Sequence, residues 1–149
     1  MTRFVHDSEQ LVPRPLEEVF TFFSDPNNLQ RITPPWLDFE VLGMSDCQMC
    51  EGLLIDYRLR IHGIPIRWRS EITVWDPPRR FVDEQRRGPY RLWIHEHTFE
   101  ARGNSTLVCD HVQYSVPGGV IVQKLFVARE VGRIFAFRRG KLEEIFRTA

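Results

Sequence analysis

The sequence predicts an α+β fold in which a strongly curved, seven-stranded antiparallel sheet wraps around one long C-terminal helix. Residues 37 to 116 alternate between apolar and polar side chains, which is typical of antiparallel strands with one wet face. That stretch contains no helical pattern, so a doubly wound sheet, which needs helices between strands, is excluded. After Gly119 the apolar spacing becomes helical, and a closed all-β barrel has no use for so long a terminal helix.

The first elements are a strand and two short helices. The strand covers Arg3 to Leu11 and leads into Val12-Pro13. Pro15 stands where prolines commonly begin a helix, and apolar residues follow it at helical spacing. Those residues are Leu16, Val19, Phe20 and Phe23. Asp25-Pro26 ends this helix, and residues 27–32 form a second one that stops at Thr33-Pro34-Pro35.

Three strands follow. In the second strand, after Trp36, the apolar positions are Leu37, Phe39 and Val41. The third strand runs from Leu53 to His62 and the fourth from Pro65 to Trp75, with Gly63-Ile64 as the turn. This turn would pair Ile61 with Ile66, Leu59 with Trp68 and Tyr57 with Ser70. The predicted inner face carries Tyr57, Leu59, Ile61, Ile66, Trp68, Ile72 and Val74, and the outer face carries Arg58, Arg60, Arg67, Arg69 and Glu71.

The remaining elements are three strands and the long helix. After Pro77-Pro78, the fifth strand runs from about Arg80 to Arg86, and Gly88-Pro89 is the next turn. The sixth strand runs from Tyr90 to Arg102 and the seventh from Ser105 to Val116, joined by the hairpin dipeptide Gly103-Asn104. The helix covers about Val120 to Phe146.

Composition limits the classes of function. A chain of 149 residues predicts one domain, residues 1–149, and 20 basic residues balance 20 acidic ones. A neutral chain has no global attraction for nucleic acid or an anionic membrane, so we expect neither nucleic-acid binding nor membrane insertion. We find no apolar segment of signal-peptide or membrane-spanning length. The sequence leaves open whether the chain forms a homodimer.

The three cysteines indicate a reducing compartment. Cys47 and Cys50 form one CxxC, and Cys109 stands alone, so they cannot all pair within the chain. No second CxxC or histidine pair with zinc-finger spacing accompanies them. We therefore expect a cytoplasmic protein without an essential redox role for these thiols.

The pattern resembles the START-like, or SRPBCC, superfamily over nearly the whole chain. Its opening is similar in Leu16-Glu17-Glu18-Val19-Phe20, Phe23, Asp25-Pro26 and Leu29. The middle looks like a bacterial ligand-binding subfamily, in residues 81–85, Gly88-Pro89-Tyr90, Trp93-x-His95-x-His97-x-Phe99 and Asp110-x-Val112-x-Tyr114-x-x-Pro117. The resemblance implies the helix-grip fold, with a cavity between sheet and helix for lipids, quinones or polyketides. Some relatives are aromatase/cyclases, so fold alone leaves the function open.

The candidate site lies on the concave face of the sheet. A two-residue turn at Gly103-Asn104 places Trp93 opposite Tyr114, His95 opposite Val112, His97 opposite Asp110 and Phe99 opposite Val108. A turn near Pro89 would bring Asp83 close to His95. We therefore expect His97–Asp110 and His95–Asp83 pairs among apolar side chains. The predicted ligand-binding set is Tyr57, Leu59, Trp68, Asp83, Gln85, Trp93, His95, His97, Phe99, Asp110 and Tyr114.

Several interpretations of this cluster stay open. The pairs could be satisfied polar groups of a core, or they could orient a small hydrophobic or amphipathic ligand. They could also supply a general base to a polyketide cyclase/dehydratase-type enzyme, although no nucleophile motif is visible. A partner-binding module is a third hypothesis. Two histidines with Asp83 or Asp110 could hold a metal, but we expect no metal and no other cofactor. No catalytic residue is assigned.

Overall fold

Seven strands form one antiparallel sheet in the computed structural model, which describes residues 2–147. They are β1 (Phe4–Val12), β2 (Glu40–Met44), β3 (Leu54–Ile61), β4 (Ile64–Asp76), β5 (Arg80–Arg87), β6 (Leu92–Arg102) and β7 (Ser105–Ser115). The helices are α1 (Leu16–Phe23), α2 (Pro26–Arg31), α3 (Gly119–Val122) and α4 (Ala128–Ile145), with a 3₁₀ turn at Pro35–Leu37. The order β1-β7-β6-β5-β4-β3-β2 confirms the predicted curved sheet and helix-grip architecture.

The two short helices begin where the sequence predicts. Pro15, in extended conformation, precedes α1, and Val19, Phe20 and Phe23 bury one face of that helix. The side chain of Asp25 accepts a hydrogen bond from the backbone N–H of Asn27 at 2.9 Å and so caps α2. α1 packs against β6 and β7, and α2 packs against β2.

The pairing of β6 with β7 is confirmed residue by residue. His97 lies opposite Asp110, His95 opposite Val112, and Trp93 opposite Tyr114. Gly103 has a φ of 61°, as the hairpin turn requires. Asp83 on β5 lies opposite His95, which also agrees with the prediction.

The predicted pairing of β3 with β4 was wrong by two residues. The turn consists of His62 and Gly63, with φ values of 51° and 78°, rather than Gly63-Ile64. Positive φ at both central residues is typical of a type I′ turn. Ile61 therefore lies opposite Ile64, Leu59 opposite Ile66, Tyr57 opposite Trp68 and Ile55 opposite Ser70. A shift by two leaves the parity unchanged, so Tyr57, Leu59 and Trp68 still face inward.

Two further predictions about strand faces were wrong. A register shift between Ile72 and Val74 reverses the alternation, so that Trp75 packs against the core in the place predicted for Val74. Leu37 is buried in the 3₁₀ turn rather than in a strand, because β2 begins only at Glu40. These irregularities lie at the ends of elements, where periodicity is weakest as a signal.

The predicted long C-terminal helix is confirmed, and one segment within it is π-helical rather than α-helical. Residues Gln123–Val127 form a π-helical turn between α3 and α4. Four large apolar side chains around this turn are 44–71% exposed: Val120, Ile121, Leu125 and Phe126. Beyond it, α4 buries Val131, Phe135, Arg138 and Leu142 against the sheet. No helix within residues 2–147 is long and apolar enough to cross a membrane.

Candidate functional site

A cavity of about 200 Å³ lies between the sheet and α4. This volume far exceeds the roughly 10–15 Å³ that one water molecule needs. The walls are mostly apolar and aromatic, and they come from the sheet, from α1 and α2 and from α4. They include Phe22, Phe23, Leu29, Ile32, Ile55, Tyr57, Leu59, Trp68, Ile72, Phe81, Tyr90, Trp93, Val131, Ile134 and Phe135. The cavity can therefore hold an apolar molecule of several rings or a short chain.

A polar cluster of two histidines and two aspartates lies at one side of this cavity. His95 and His97 stack with ring centroids 3.7 Å apart, and Phe81 stacks on the other face of His97 at 4.1 Å. Both imidazoles and Asp110 are buried, and the Asp83 side chain is 19% exposed. The alternation of β5, β6 and β7 places all four side chains on the concave face.

The predicted pairs are neighbours across the strands, but the hydrogen bonds within the cluster run diagonally between them. His95 Nε2 lies 2.7 Å from Asp110 Oδ1, and His97 Nε2 lies 2.6 Å from Asp83 Oδ2. The directly opposed groups are farther apart, at 3.5 Å for His97 Nδ1 to Asp110 Oδ1 and 3.8 Å for His95 Nδ1 to Asp83 Oδ2. Long side chains on adjacent strands can reach diagonal neighbours, and here the stacked rings do so.

Arg138 of α4 completes the cluster, and the sequence analysis missed it. Its Nη2 lies 3.2 Å from Asp110 Oδ1, and the same oxygen accepts the hydrogen bond from His95 Nε2. The side chain is 8% exposed and passes over the rings of Phe23 and Phe135. Its Nε and Nη2 are buried and make no hydrogen bond within the described part of the chain. Burying a guanidinium whose N–H donors have no acceptor costs free energy, unless another group supplies an acceptor.

A signal for Arg138 does exist in the sequence. Val131, Phe135, Arg138 and Leu142 follow the heptad-like spacing of one helix face, and all four are buried. An arginine within an apolar stripe indicates a buried charge with a partner on the facing element. Finding that partner, Asp110, requires the rotation of the helix against the sheet, which the sequence does not give.

His6 is a second polar neighbour that sequence reasoning did not single out. It lies opposite Val112 on β1, and Val112 in turn lies opposite His95. Its Nε2 is buried without a hydrogen-bond partner among residues 2–147, and its ring lies 4.6 Å from that of Phe135. Burial lowers the pKa of His6, and the charges of Asp110 and Asp7 oppose that shift only in part.

The carboxylates of the cluster are ionised and His97 is neutral near pH 7. Burial works to raise the pKa of Asp110, but the charge of Arg138 and the hydrogen bond to His95 hold it well below its usual range. Burial also works to raise the pKa of Asp83, but the hydrogen bond to His97 and the nearby charges of His95, His97 and Arg138 together lower it. Burial and the neighbouring His95 lower the pKa of His97 to about 4, against the opposing effect of Asp83.

The hydrogen-bond pattern fixes which imidazole nitrogens are free. An ionised carboxylate only accepts, so Nε2 of each histidine carries the proton and Nδ1 of a neutral ring is an acceptor. Nδ1 of His97 is fully buried without a partner. Nδ1 of His95 also lacks a hydrogen-bond partner among residues 2–147. This atom is not fully buried, and His95 lines the cavity. His95 Nδ1 is therefore the imidazole nitrogen of the cluster that a bound molecule can reach.

Asp83, His95 and His97 also form the one cluster among residues 2–147 whose ligand atoms lie close enough to suggest a metal site, within 4.8 Å of one another. The two imidazole planes are stacked and inclined by only 24°, so their lone pairs lie in nearly parallel planes, which is unfavourable for binding one metal ion together. The 2.6 Å contact between Asp83 and His97 is a direct hydrogen bond. This geometry favours a proton-sharing network over a metal centre, and the absence of a cofactor stays a prediction.

The predicted ligand-binding residues fall into two groups. The structure brings seven of them to the cavity wall: Tyr57, Leu59, Trp68, Asp83, Trp93, His95 and His97. Asp110 lies behind His95, Phe99 packs in the core, and Tyr114 accepts a hydrogen bond from Gln123 at 3.2 Å. Gln85 bonds to the backbone of Tyr90 at both 2.7 and 3.1 Å and so holds the β5–β6 turn. Their roles in ligand binding stay predictions.

Comparisons with known proteins agree with this architecture. Residues 12–135 match the family model described as polyketide cyclase / dehydrase and lipid transport. No curated protein matches the chain.

Solved structures with similar folds share little sequence with the chain. A protein of Chromobacterium violaceum has a TM-score of 0.77 and 14% identity, covering 98% of this chain and 99% of its own. The Zhui aromatase/cyclase from a Streptomyces species has a TM-score of 0.74 and 13% identity, with coverages of 95% and 92%. A START superfamily protein of Mycobacterium smegmatis has a TM-score of 0.69 and 17% identity, with coverages of 95% and 98%.

Proposed function

Because the chain belongs to the polyketide cyclase/dehydrase and lipid-transport family, we propose that it binds a small hydrophobic or amphipathic ligand in the cavity between sheet and α4. The observation that supports this most is the cavity itself, with aromatic walls and one polar cluster. Pockets of this kind commonly bury the apolar body of a ligand and use a few polar groups to orient it. The three free cysteines suit binding in the cytoplasm.

The first test is to extract the purified protein with organic solvent and identify any released compound by mass spectrometry. A second test uses Nile red, an uncharged apolar dye, and follows the fluorescence of Trp68 and Trp93, which line the cavity. We expect saturable quenching with one dye per chain. Failure to bind the dye, together with an empty solvent extract, would contradict the proposal.

A cyclase/dehydratase-type enzyme is the second candidate, and the Asp110–His95 bond supports it. The carboxylate orients the imidazole through Nε2 and leaves Nδ1 free to accept a proton, which is the arrangement of a general base. On a substrate with an acidic C–H next to a carbonyl, His95 Nδ1 would take the proton. The electron pair of that C–H bond would move onto the carbonyl oxygen, near Arg138.

This candidate predicts exchange of carbon-bound hydrogen. A 1,3-diketone with an aromatic substituent would be incubated with the protein in D₂O, and deuterium incorporation would be followed by NMR. Incorporation above the buffer rate that is lost in His95→Phe supports an enzyme. Binding of the diketone without faster exchange favours a carrier.

A further inference from the structure

The helical segment between β7 and α4 carries four exposed apolar side chains, which we call the apolar patch. Ile121, Leu125 and Phe126 are 71%, 64% and 62% exposed, and Val120 is 44% exposed. Single apolar side chains on a surface are ordinary, but a group of large ones close together is typical of a surface that binds something. The patch therefore calls for a partner that covers it.

The π-helical turn at Gln123–Val127 brings the members of the patch to one side of the segment. Its backbone hydrogen bonds span five residues instead of four. The positions four and five after Ile121 therefore both return toward the side on which Ile121 lies. Those positions are Leu125 and Phe126, and both are exposed.

The other side of the same segment packs on the protein. Val122 and Val127 are half-buried against a core cluster that includes Val131 and Phe135. Val131 and Phe135 also line the cavity. The apolar patch thus lies on the solvent side of a segment whose inner side supports the cavity wall.

The charged side chains within this segment are both positive. Residues 117–129 contain Lys124 and Arg129 and no acidic residue, although the whole chain is neutral. Both cations are exposed. The next acid along the chain, Glu130, is half-buried and lines the cavity. Large apolar side chains with Lys and Arg beside them match a partner that has an apolar interior and anionic groups at its surface.

A second copy of the chain matches the apolar patch less well. In a symmetric dimer the same surface meets itself, so two copies of Lys124 and two of Arg129 would surround one apolar contact. Residues 117–129 offer no acid to neutralise them. The cores of protein interfaces are depleted of charged residues, lysine among them. The charge of the segment therefore favours an anionic partner over a second copy.

We propose that the apolar patch docks on the surface of a lipid bilayer that contains anionic lipids. Ile121, Leu125 and Phe126 contact the boundary between head groups and acyl chains, and Lys124 and Arg129 contact lipid phosphates. The segment lies on the bilayer and does not cross it. This role goes beyond ligand binding in the cavity, and it places the cavity wall beside a source of apolar molecules.

The test is sedimentation of the protein with vesicles of phosphatidylcholine alone, and with vesicles in which about one-third of the lipid is phosphatidylglycerol. We expect the partition coefficient to be at least fivefold higher for the anionic vesicles. It should fall when NaCl is raised from about 0.05 M to about 0.5 M, because salt screens the attraction. No binding to the anionic vesicles, or equal binding to both kinds, would overturn the inference. The Nile red titration in solution tests the proposed function separately.

Two variants, each with a control of the same residue type, locate the contact. Leu125→Asp should abolish vesicle binding, whereas Leu11→Asp, at a position 59% exposed on β1, should retain it. Lys124→Glu should weaken binding to anionic vesicles at least fivefold, whereas Lys141→Glu, near the other end of α4, should not. Binding that Leu125→Asp leaves unchanged overturns the assignment to the apolar patch.

Light scattering after size-exclusion chromatography separates a membrane from a second copy. A dimer that Leu125→Asp dissociates, in a chain that does not bind vesicles, would assign the apolar patch to self-association and overturn the inference. Circular dichroism checks that each variant is folded. If Leu125→Asp does not fold, the comparison of the two lipid compositions on the unmodified chain decides the inference.

Discussion

His95 bonds to Asp110 across a diagonal of the β6–β7 pair, although His97 is the residue directly opposite Asp110. The two imidazoles stack on each other, and each ring bonds to the carboxylate that lies directly opposite the other ring. Asp110 thereby joins a residue of the sheet to Arg138 of α4. This charge contact links the sheet to the helix packed on it.

We predict that Asp110→Ala lowers the free energy of unfolding by roughly 1–3 kcal/mol, because His95 loses its buried acceptor and Arg138 its buried counter-charge. A double-mutant cycle should then give a larger coupling energy for His95 with Asp110 than for His97 with Asp110, on the order of 0.5–3 kcal/mol for the former. Urea unfolding followed by circular dichroism measures both. Equal couplings would show that the diagonal bond has no energetic meaning.

Stability should fall as the pH drops from 6.5 toward 4. The folded chain lowers the pKa of His97 from 6.5 to about 4, so in this window the unfolded chain binds a proton that the folded chain does not. Stability therefore rises with pH across the window and is lost on acidification. The lowered pKa values of Asp83 and Asp110 act in the same direction below about 4.

Urea midpoints at pH 7, 5.5 and 4.5 test this expectation. His97→Phe should flatten the dependence between pH 6.5 and 4, and the exposed-site variant His111→Phe should retain most of it. A slope that is the same in both variants would assign the acid sensitivity to other groups.

Replacing Cys47 and Cys50 together by serine should change the free energy of unfolding by less than about 1 kcal/mol. Cys47 is exposed and Cys50 is half-buried, and both are free thiols in the connection between β2 and β3. We also expect no change in Nile red binding. Stoichiometric zinc in the purified protein, or loss of binding on reduction, would contradict this prediction.

Ile134→Trp should block the cavity. Ile134 lies on α4 among the lining residues, and the larger ring would occupy space that a ligand needs. We expect Nile red affinity to fall at least tenfold, while stability changes by no more than the roughly 1–3 kcal/mol typical of overpacking. Ile121→Trp, at a position 71% exposed, is the matched control and should bind normally. Unchanged binding in Ile134→Trp would place the dye elsewhere.

The sequence predicted the β6–β7 pairing correctly because Gly103-Asn104 is an unambiguous two-residue turn. The β3–β4 pairing failed because His62 adopts a positive φ, which is uncommon for residues other than Gly even though His, like Asn and Asp, is enriched there. An error of two residues leaves each side chain on the same face of the sheet, so Tyr57, Leu59 and Trp68 face inward as predicted.

Other features of the site depend on how side chains and helices are oriented in space, which the spacing of apolar residues does not determine. Strand pairing gives the neighbours of His97, but the direction of a ring about its side-chain bonds decides which carboxylate it contacts. Predicting that Arg138 contacts Asp110 would require the rotation of α4 relative to the sheet. The π-helical turn at Gln123–Val127 buries no residue, so no buried face marks it in the sequence.

The position of β1 beside β7 has a consequence for the order in which the chain folds. Strands β2 to β7 follow one another along the sheet, so each can pair with its predecessor as soon as their short connection closes. The contact between Arg3 and Gln113, by contrast, spans 110 positions. Such distant pairing carries a high loop-closure cost and is slow to form. During synthesis, β1 therefore waits for β7 to emerge, and until β1 docks, the ring of Phe135 lacks its contact with His6 and the edge of β7 is unprotected.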